Sequence, residues 1–279
     1  MSTAIAVFHG AFGRVCLYSM DRRMAPHGHR EGHLIFHVEG PPAQMVVEDK
    51  VWPLSAGQAV AISPWQGHYY APLSDDTPTL ALVMYIRPDW FLEAARQVSA
   101  SMQFGRVGIE VTDYLMRMIV ETAHVMLDPD LDDPLLEDRL CSLTQAAFDQ
   151  SWQWTESGPV FTGVRRTAHD FRIRKALRLL RDHVCDDLEL NIVASEVGLS
   201  RPHFYKLFRA HVGLTPNLYL NALRMERAID QLARTRAAVA DIGYDLGFSS
   251  QASFSRFFIS NGVVPPSAYR RCVHSVEPA

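Results

Sequence analysis

The chain has 279 residues, 48% of them hydrophobic and 21% charged, which suits a soluble two-domain protein and excludes a disordered or collagen-like one. Its net charge of −4 argues against a nucleic-acid binder, but the charge is unevenly spread: residues 1–164 carry 10 Lys+Arg against 20 Asp+Glu, and residues 165–279 carry 17 against 11. The C-terminal part alone is basic, at +6, and is where a polyanion would bind.

The first residues, MSTAIAVFHGAFGRV, lack a basic segment followed by a long apolar run. No stretch approaches the roughly 18 apolar residues of a membrane span. Cys16, Cys141, Cys185 and Cys272 are scattered without a close pair, so neither a disulfide framework nor a zinc knuckle is expected. A cytoplasmic protein with reduced thiols and no membrane partner fits.

From the start to about residue 88 the sequence reads as short strands broken by turn formers such as Gly28–Gly32 (GHREG), Glu39–Pro42 (EGPP) and Pro72–Pro78 (PLSDDTP). Arg14–Met20, His33–Val38, Ala43–Glu48, Gln58–Ile62 and Thr79–Ile86 have strand length and β-branched or aromatic content, predicting a small antiparallel barrel. Helices follow. Val111, Tyr114, Leu115, Met118, Ile119, Thr122, Val125 and Met126 recur every three or four residues, as do Leu136, Leu140, Leu143 and Ala147. These two amphipathic helices suit either a homodimer seam or packing onto the barrel. Residues 152–166, WQWTESGPVFTGVRR, lose the pattern and read as a linker, giving domains at 1–154 and 167–279 joined by 155–166.

The C-terminal part repeats one short pattern. ASEVGLSRPHFYKLFR begins at Ala194 and GYDLGFSSQASFSRFF at Gly243, with the turn glycines Gly198 and Gly247 separated by 49 positions. A small residue at a helix crossing, a glycine-led turn and a second helix make a helix-turn-helix. Two units joined by Pro216–Thr235 predict an all-α DNA reader. That joining segment, about 20 residues, spans about 30 Å as a helix, close to the roughly 34 Å turn of B-DNA, so one monomer can reach successive major grooves. Ser200 stands where the first recognition helix wants an N-cap, with Pro202 in its first turn, and Ser249 or Ser250 caps the second. Phe204, Leu207, Phe208, Phe254, Phe257 and Phe258 are expected in the core.

Residues Arg174 to Arg271 resemble the DNA-binding domain of AraC-type bacterial transcription regulators, most closely in the run DIGYDLGFSSQASFSRFF from Asp241 and the Pro266–Arg270 segment that closes it. The resemblance implies groove contacts at Pro202, Tyr205 and Lys206 in the first unit and at Gln251, Ala252, Ser255 and Arg256 in the second. Arg201, Arg209, Ser249, Ser250 and Ser253 complete the outward set. Arg pairs two-pronged with guanine and Gln with adenine, each worth about 1–3 kcal/mol of discrimination, whereas serines and backbone N–H groups hold phosphates. Gly243 stands where the family usually has alanine, which implies a cost of about 1 kcal/mol in helix stability.

In the N-terminal part, His27-x-His29-x3-His33-x6-Gly40 and Gly57-x6-Pro64-x2-Gly67-His68 resemble the two motifs of the cupin barrel, the usual sensor fold of AraC-type regulators, with His33 in the place of the customary glutamate. The resemblance implies an effector pocket that includes His27, His29, His33 and His68. Neighbouring Phe36, Trp65, Tyr70 and Tyr85 are candidate walls. The four imidazoles suit a divalent transition metal, yet AraC-type sensors commonly bind an organic effector with no cofactor. Two functions follow: a ligand-responsive regulator or activator that partners promoter DNA, a small molecule, a second copy and RNA polymerase, with no catalysis; or a metal-dependent cupin enzyme with an appended DNA-binding domain. The fold expected is two-domain α+β, a cupin-like barrel with following helices and then a double helix-turn-helix.

Overall fold

The computed structural model describes residues 2–74, 76–90, 103–128, 133–151, 170–185, 189–262 and 264–275. The N-terminal part forms β1 (Thr3–Gly10), β2 (Gly13–Met20), β3 (Gly32–Glu39), β4 (Ala43–Val47), β5 (Lys50–Leu54), β6 (Gln58–Ile62), β7 (His68–Pro72), β8 (Thr79–Ile86) and β9 (Gly108–Glu110). They build two facing sheets, β1-β2-β8-β3-β6-β9 and β5-β4-β7, in the first of which β8 pairs antiparallel with both β2 and β3. All five strands read from the sequence are present. The linker expected at 155–166 lies outside the described residues.

Because side chains alternate across a strand, the larger sheet has two apolar faces. Cys16, Tyr18, Ile35, Val60, Ile62, Val83 and Tyr85 face the smaller sheet with Met45, Leu54 and Tyr70. On the other face, Val15, Leu17, Leu34, Phe36, Leu82 and Met84 meet Leu115, Ile119, Ala123, Leu136, Leu140, Leu143 and Ala147. The latter come from helices α1 (Asp113–Val125) and α2 (Asp133–Ser151). The apolar stripes considered for a dimer seam are therefore spent on the barrel. Tyr114, Leu127 and Leu135 remain exposed beside them.

The C-terminal part comprises α3 (Phe171–Asp182), α4 (Leu190–Glu196), α5 (Arg201–Val212), α6 (Pro216–Arg234), α7 (Val239–Asp245), α8 (Gln251–Asn261) and α9 (Pro266–Arg271). Among the described residues it is helical except for one strand that the sequence did not announce, β10 (Val273–Ser275), which lies parallel to β1 and extends the larger sheet. No helix among the described residues is long and apolar enough to cross a membrane.

Each helix-turn-helix unit turns at a glycine in the left-handed region, Gly198 at φ 69° and Gly247 at φ 82°, where a side chain is strained. Phe204, Phe208, Phe254 and Phe258 are buried as expected, and Leu207 and Phe257 half-buried. Ser250 caps α8 through a reciprocal box with Ser253. Ser200 occupies the N-cap position of α5 without a side-chain cap hydrogen bond, so Pro202 in the first turn carries the start of that helix.

Gly243 has a packing reason rather than a helix-stability deficit. A Cβ there would lie 2.9 Å from Phe254 Cβ and 3.1 Å from its Cγ, so α7 and α8 cross too closely for alanine. Overpacking of this kind costs about 1–3 kcal/mol, more than the propensity gain of about 1 kcal/mol. Gly243→Ala should lower the thermal midpoint; a raised midpoint would show that the helices move apart freely.

Candidate functional site

Both sheets and their loops gather the histidines. The loop after β2 is pinned to β7 by a reciprocal backbone pair, His27 N–H to His68 O at 2.9 Å and His68 N–H to His27 O at 2.8 Å. Trp65 N–H holds His29 O at 2.8 Å, and β3 carries His33. Ring centroids then stand 4.4 Å apart for His27 and His68, 4.9 Å for His29 and His33, and 5.0 Å for His29 and His68. His33 stacks on Tyr85 at 4.4 Å. Burial, reinforced by neighbouring cationic or imidazole groups, holds the pKa of all four histidines below the ordinary value. This favours the neutral imidazole, the form that ligates metals.

Nδ1 of His27, His29 and His68 lies against the backbone oxygens of Ala25, Glu31 and Gln66. The ligand atoms of the same three residues lie within 4.8 Å of one another. Nε2 of His29 and of His33 is buried with no hydrogen-bond partner among the described residues. Orphaned acceptors on converging rings fit a metal ion.

The trio forms part of a wall between two cavities. His27, His33, His68 and Tyr70 line a small apolar hollow inside the barrel with Met45 and Val83. His27 and His29 also line a partly open cavity between the barrel and the C-terminal helices. There Arg14, Tyr18, Glu31 and Tyr85 face Met225, Glu226, Ile229, Phe258, Val264 and Tyr269. Arg14 is buried, 3.3 Å from Glu31 and 3.6 Å above the Tyr85 ring centroid. Burial works against its charge, but Glu31, with Tyr269, Tyr85 and Cys16 adding to it, more than restores it and the guanidinium stays protonated. The Tyr85 phenol is pushed up to about 12, chiefly by burial.

Two sequence-predicted pocket residues are elsewhere. Phe36 is fully buried on the opposite face of the sheet, among the residues that meet α1 and α2, because the strand period of two turns it away from His33 and Ile35. Trp65 packs against Tyr219 of α6 in a tilted arrangement at 4.9 Å and joins the halves instead of walling the barrel interior. Sequence reasoning missed Arg14, Glu31, Met225 and Glu226; a lone arginine inside a strand carries no local signal of burial.

On the recognition helices, Arg201, Pro202, Lys206 and Arg209 are exposed on α5, and Gln251, Ala252 and Arg256 on α8, with Ser249 exposed just ahead of it. Ser255 is half-buried. Tyr205 differs: its hydroxyl is buried without a partner among the described residues and its ring packs against the first unit's core, so it is not presented outward as the resemblance implied. The Ser250 and Ser253 hydroxyls are engaged in the α8 cap.

The model of the AraC-like ligand binding domain matches residues 12–192, and that of a helix-turn-helix domain matches residues 193–272. The chain belongs to the AraC family. It is an AraC-type, ligand-responsive, sequence-specific DNA-binding transcription regulator. Similar proteins include the regulatory protein PocR of Salmonella typhimurium, 39% identical over 39% of this chain and 36% of PocR. The transcriptional activator RhaS of Escherichia coli is 26% identical over 84% of this chain and 83% of RhaS. A single-substitution variant of apo ToxT from Vibrio cholerae shares the fold at a TM-score of 0.59, with 16% identity over 94% of this AraC-type chain and 98% of ToxT. An unsaturated fatty acid-bound wild-type ToxT does so at 0.55, with 15% identity over 92% and 94%.

His9 belongs to the contact between the halves: its Nε2 lies 2.8 Å from the Tyr269 hydroxyl. Burial, with Arg14 adding to it, holds its pKa down to about 3 against an ordinary 6.5. The unfolded chain therefore binds the extra proton between those values, and stability contributed above pH 6.5 is lost as pH falls toward 3. His9→Gln should flatten the decline of stability between pH 7 and 5 by up to about 1.4 kcal/mol per pH unit. Equal slopes for variant and parent would remove His9 from the account.

Proposed function

We propose that the cavity between barrel and C-terminal helices is the effector site through which this AraC-type protein changes its affinity for promoter DNA. The observation that carries this reading is the shared lining: His29, Arg14 and Tyr85 on one side, Met225, Ile229 and Phe258 on the other. A ligand shifts an equilibrium only by its differential affinity for the two states, and a molecule touching both halves has different contacts when they separate. Coupling of about 1–3 kcal/mol suffices. The effector class is a small organic molecule with an apolar body and one polar head; ToxT, whose fold is shared, is described with a fatty acid bound. His33, His68 and Tyr70 line the adjacent hollow inside the barrel, on the far side of His27.

DNA contact is assigned to Arg201, Pro202, Lys206 and Arg209 on α5 and to Ser249, Gln251, Ala252, Ser255 and Arg256 on α8, with Ser250 and Ser253 as cap residues that aim backbone N–H groups at phosphate. This reading includes activation with RNA polymerase, in line with the activator RhaS, a cytoplasmic setting, and a homodimer joined by the outward side of α1 and the turn after it, where Tyr114 and Leu127 are exposed. It requires no catalysis. The rival enzyme reading rests on the histidines alone.

Arg256→Ala should weaken operator binding about 5- to 150-fold, the range of one lost bidentate base contact, measured by fluorescence anisotropy. Lys206→Ala should lower the slope of log affinity against log salt by about 1. Undiminished affinity in the first variant, or an unaltered slope in the second, would refute that contact. Met225→Trp, which fills the cavity, should abolish the response to effectors found by metabolite screening while leaving effector-free DNA affinity within about twofold. A full response would place the effector elsewhere.

A further inference from the structure

We infer that the cavity between the barrel and the C-terminal helices takes an organic amine, its ammonium head beside Glu226 and Glu31 and its hydrocarbon body against Met225, Ile229, Phe258 and Val264. Such a ligand deepens the effector reading above, on whose cavity it rests, by fixing the charge of the polar head.

Charge balance sets the sign. Among Lys, Arg, Asp and Glu of the described residues, the cavity is lined by Arg14, Glu31 and Glu226, one cation against two carboxylates. Arg14 is already committed. Its Nη1 donates to Glu31 Oε1 at 3.3 Å, its guanidinium carbon lies 3.6 Å from the centroid of the Tyr85 ring, and the residue is buried. A ligand carboxylate would have to draw Arg14 away from Glu31, and a charge left in a buried site without its partner is strongly destabilising. It would also add a third anion to the two present. Burial holds the Tyr18 and Tyr269 phenols well above their ordinary range, so these two rings bring oxygen and aromatic surface without further charge.

Glu226 is the charge left to a ligand. It stands on α6, on the wall opposite Arg14 and Glu31. Arg30, 3.3 Å from it, does not line the cavity and has a side chain 64% exposed. A pair of that kind contributes little, and Arg30 can turn to water while Glu226 keeps its place on the wall. Burial, with Glu31 adding to it, raises the Glu226 carboxyl above its ordinary value, while Arg30 and Arg14 pull it back. The two carboxylates thus repel each other across the cavity, and a cation between them relieves that repulsion. An ammonium offers three donors and no acceptor, which suits carboxylate and phenol oxygens. Phe258 and Tyr269, packed edge to face at 5.7 Å, add ring surface that attracts a cation. Met225, Ile229 and Val264 leave the body of the molecule no polar partner to satisfy.

The test uses the full chain and three probes with one body, phenylpropylamine, phenylpropionate and phenylpropanol, titrated by calorimetry at neutral pH. The amine should bind at least about tenfold tighter than the alcohol or the carboxylate, the coupling of one close charge pair. Met225→Trp should abolish amine binding, and Glu226→Gln should lower the amine-to-alcohol affinity ratio at least about fivefold. Arg30→Gln, which frees Glu226, should strengthen amine binding about two- to fivefold, the worth of an exposed pair. No binding of the amine, amine binding that survives Met225→Trp, or an amine preference that survives Glu226→Gln would overturn the assignment. Carboxylate-selective binding lost in Met225→Trp would overturn it too, while leaving the cavity as the effector site. Amine-selective binding that leaves operator affinity unchanged would support the ligand class and count against the effector reading alone. The probe comparison on the parent and the Arg30 variant, changed at an exposed side chain, decide even if Glu226→Gln fails to fold.

Discussion

Burial of one apolar surface shared by the two halves governs the rest of this structure. Val7, Cys16, Tyr18 and Tyr85 of the barrel belong to the same buried cluster as Ile229, Leu232, Phe254, Phe258 and Tyr269 of the C-terminal part. Each large side chain so placed removes from water what would cost about 1.5–3 kcal/mol to expose. Polar contacts add orientation more than energy. The Arg30–Glu226 pair across the boundary spans 3.3 Å, but Arg30 is exposed and Glu226 only half-buried, and pairs near the surface contribute about 0–1 kcal/mol.

The joint is made at both ends of the DNA reader. Trp65 against Tyr219 holds the start of α6, and Ala25 N–H on Ser260 O holds the end of α8. The spacing between recognition helices therefore depends on α6 and on the barrel that braces both units. The cavity lies between these braces, lined by residues of both halves. Dense packing makes such a joint prone to discrete alternatives rather than gradual bending.

The periodic and punctuated parts of the molecule were legible in the sequence. Both helix-turn-helix units were visible because Gly198 and Gly247 recur at one offset within a duplicated pattern, and five strands because turn formers bound them. Strand β7 was hidden by its short length and its proline end, although it carries His68 and Tyr70. The four histidines were readable as a motif, and the structure brings them together. Phe36 and Trp65 misled because proximity along the chain says nothing of which sheet face a side chain takes. The second wall of the cavity was unreadable for a different reason: Met225, Glu226 and Ile229 look like an ordinary helix stripe until α6 meets the barrel. Gly243 could not be interpreted before Phe254 was seen against it.

Strand β10 has a structural consequence for fragments of the protein. By lying along Val7, Phe8 and His9, it occupies backbone groups that would otherwise form a bare margin of the larger sheet, and unpaired margins invite intermolecular strand addition. Cutting the chain ahead of α3 to obtain a free sensor would strip away that guard. Clumping of such a truncate would then reflect a lost sheath, not an intrinsic tendency of the barrel to pair with its own kind.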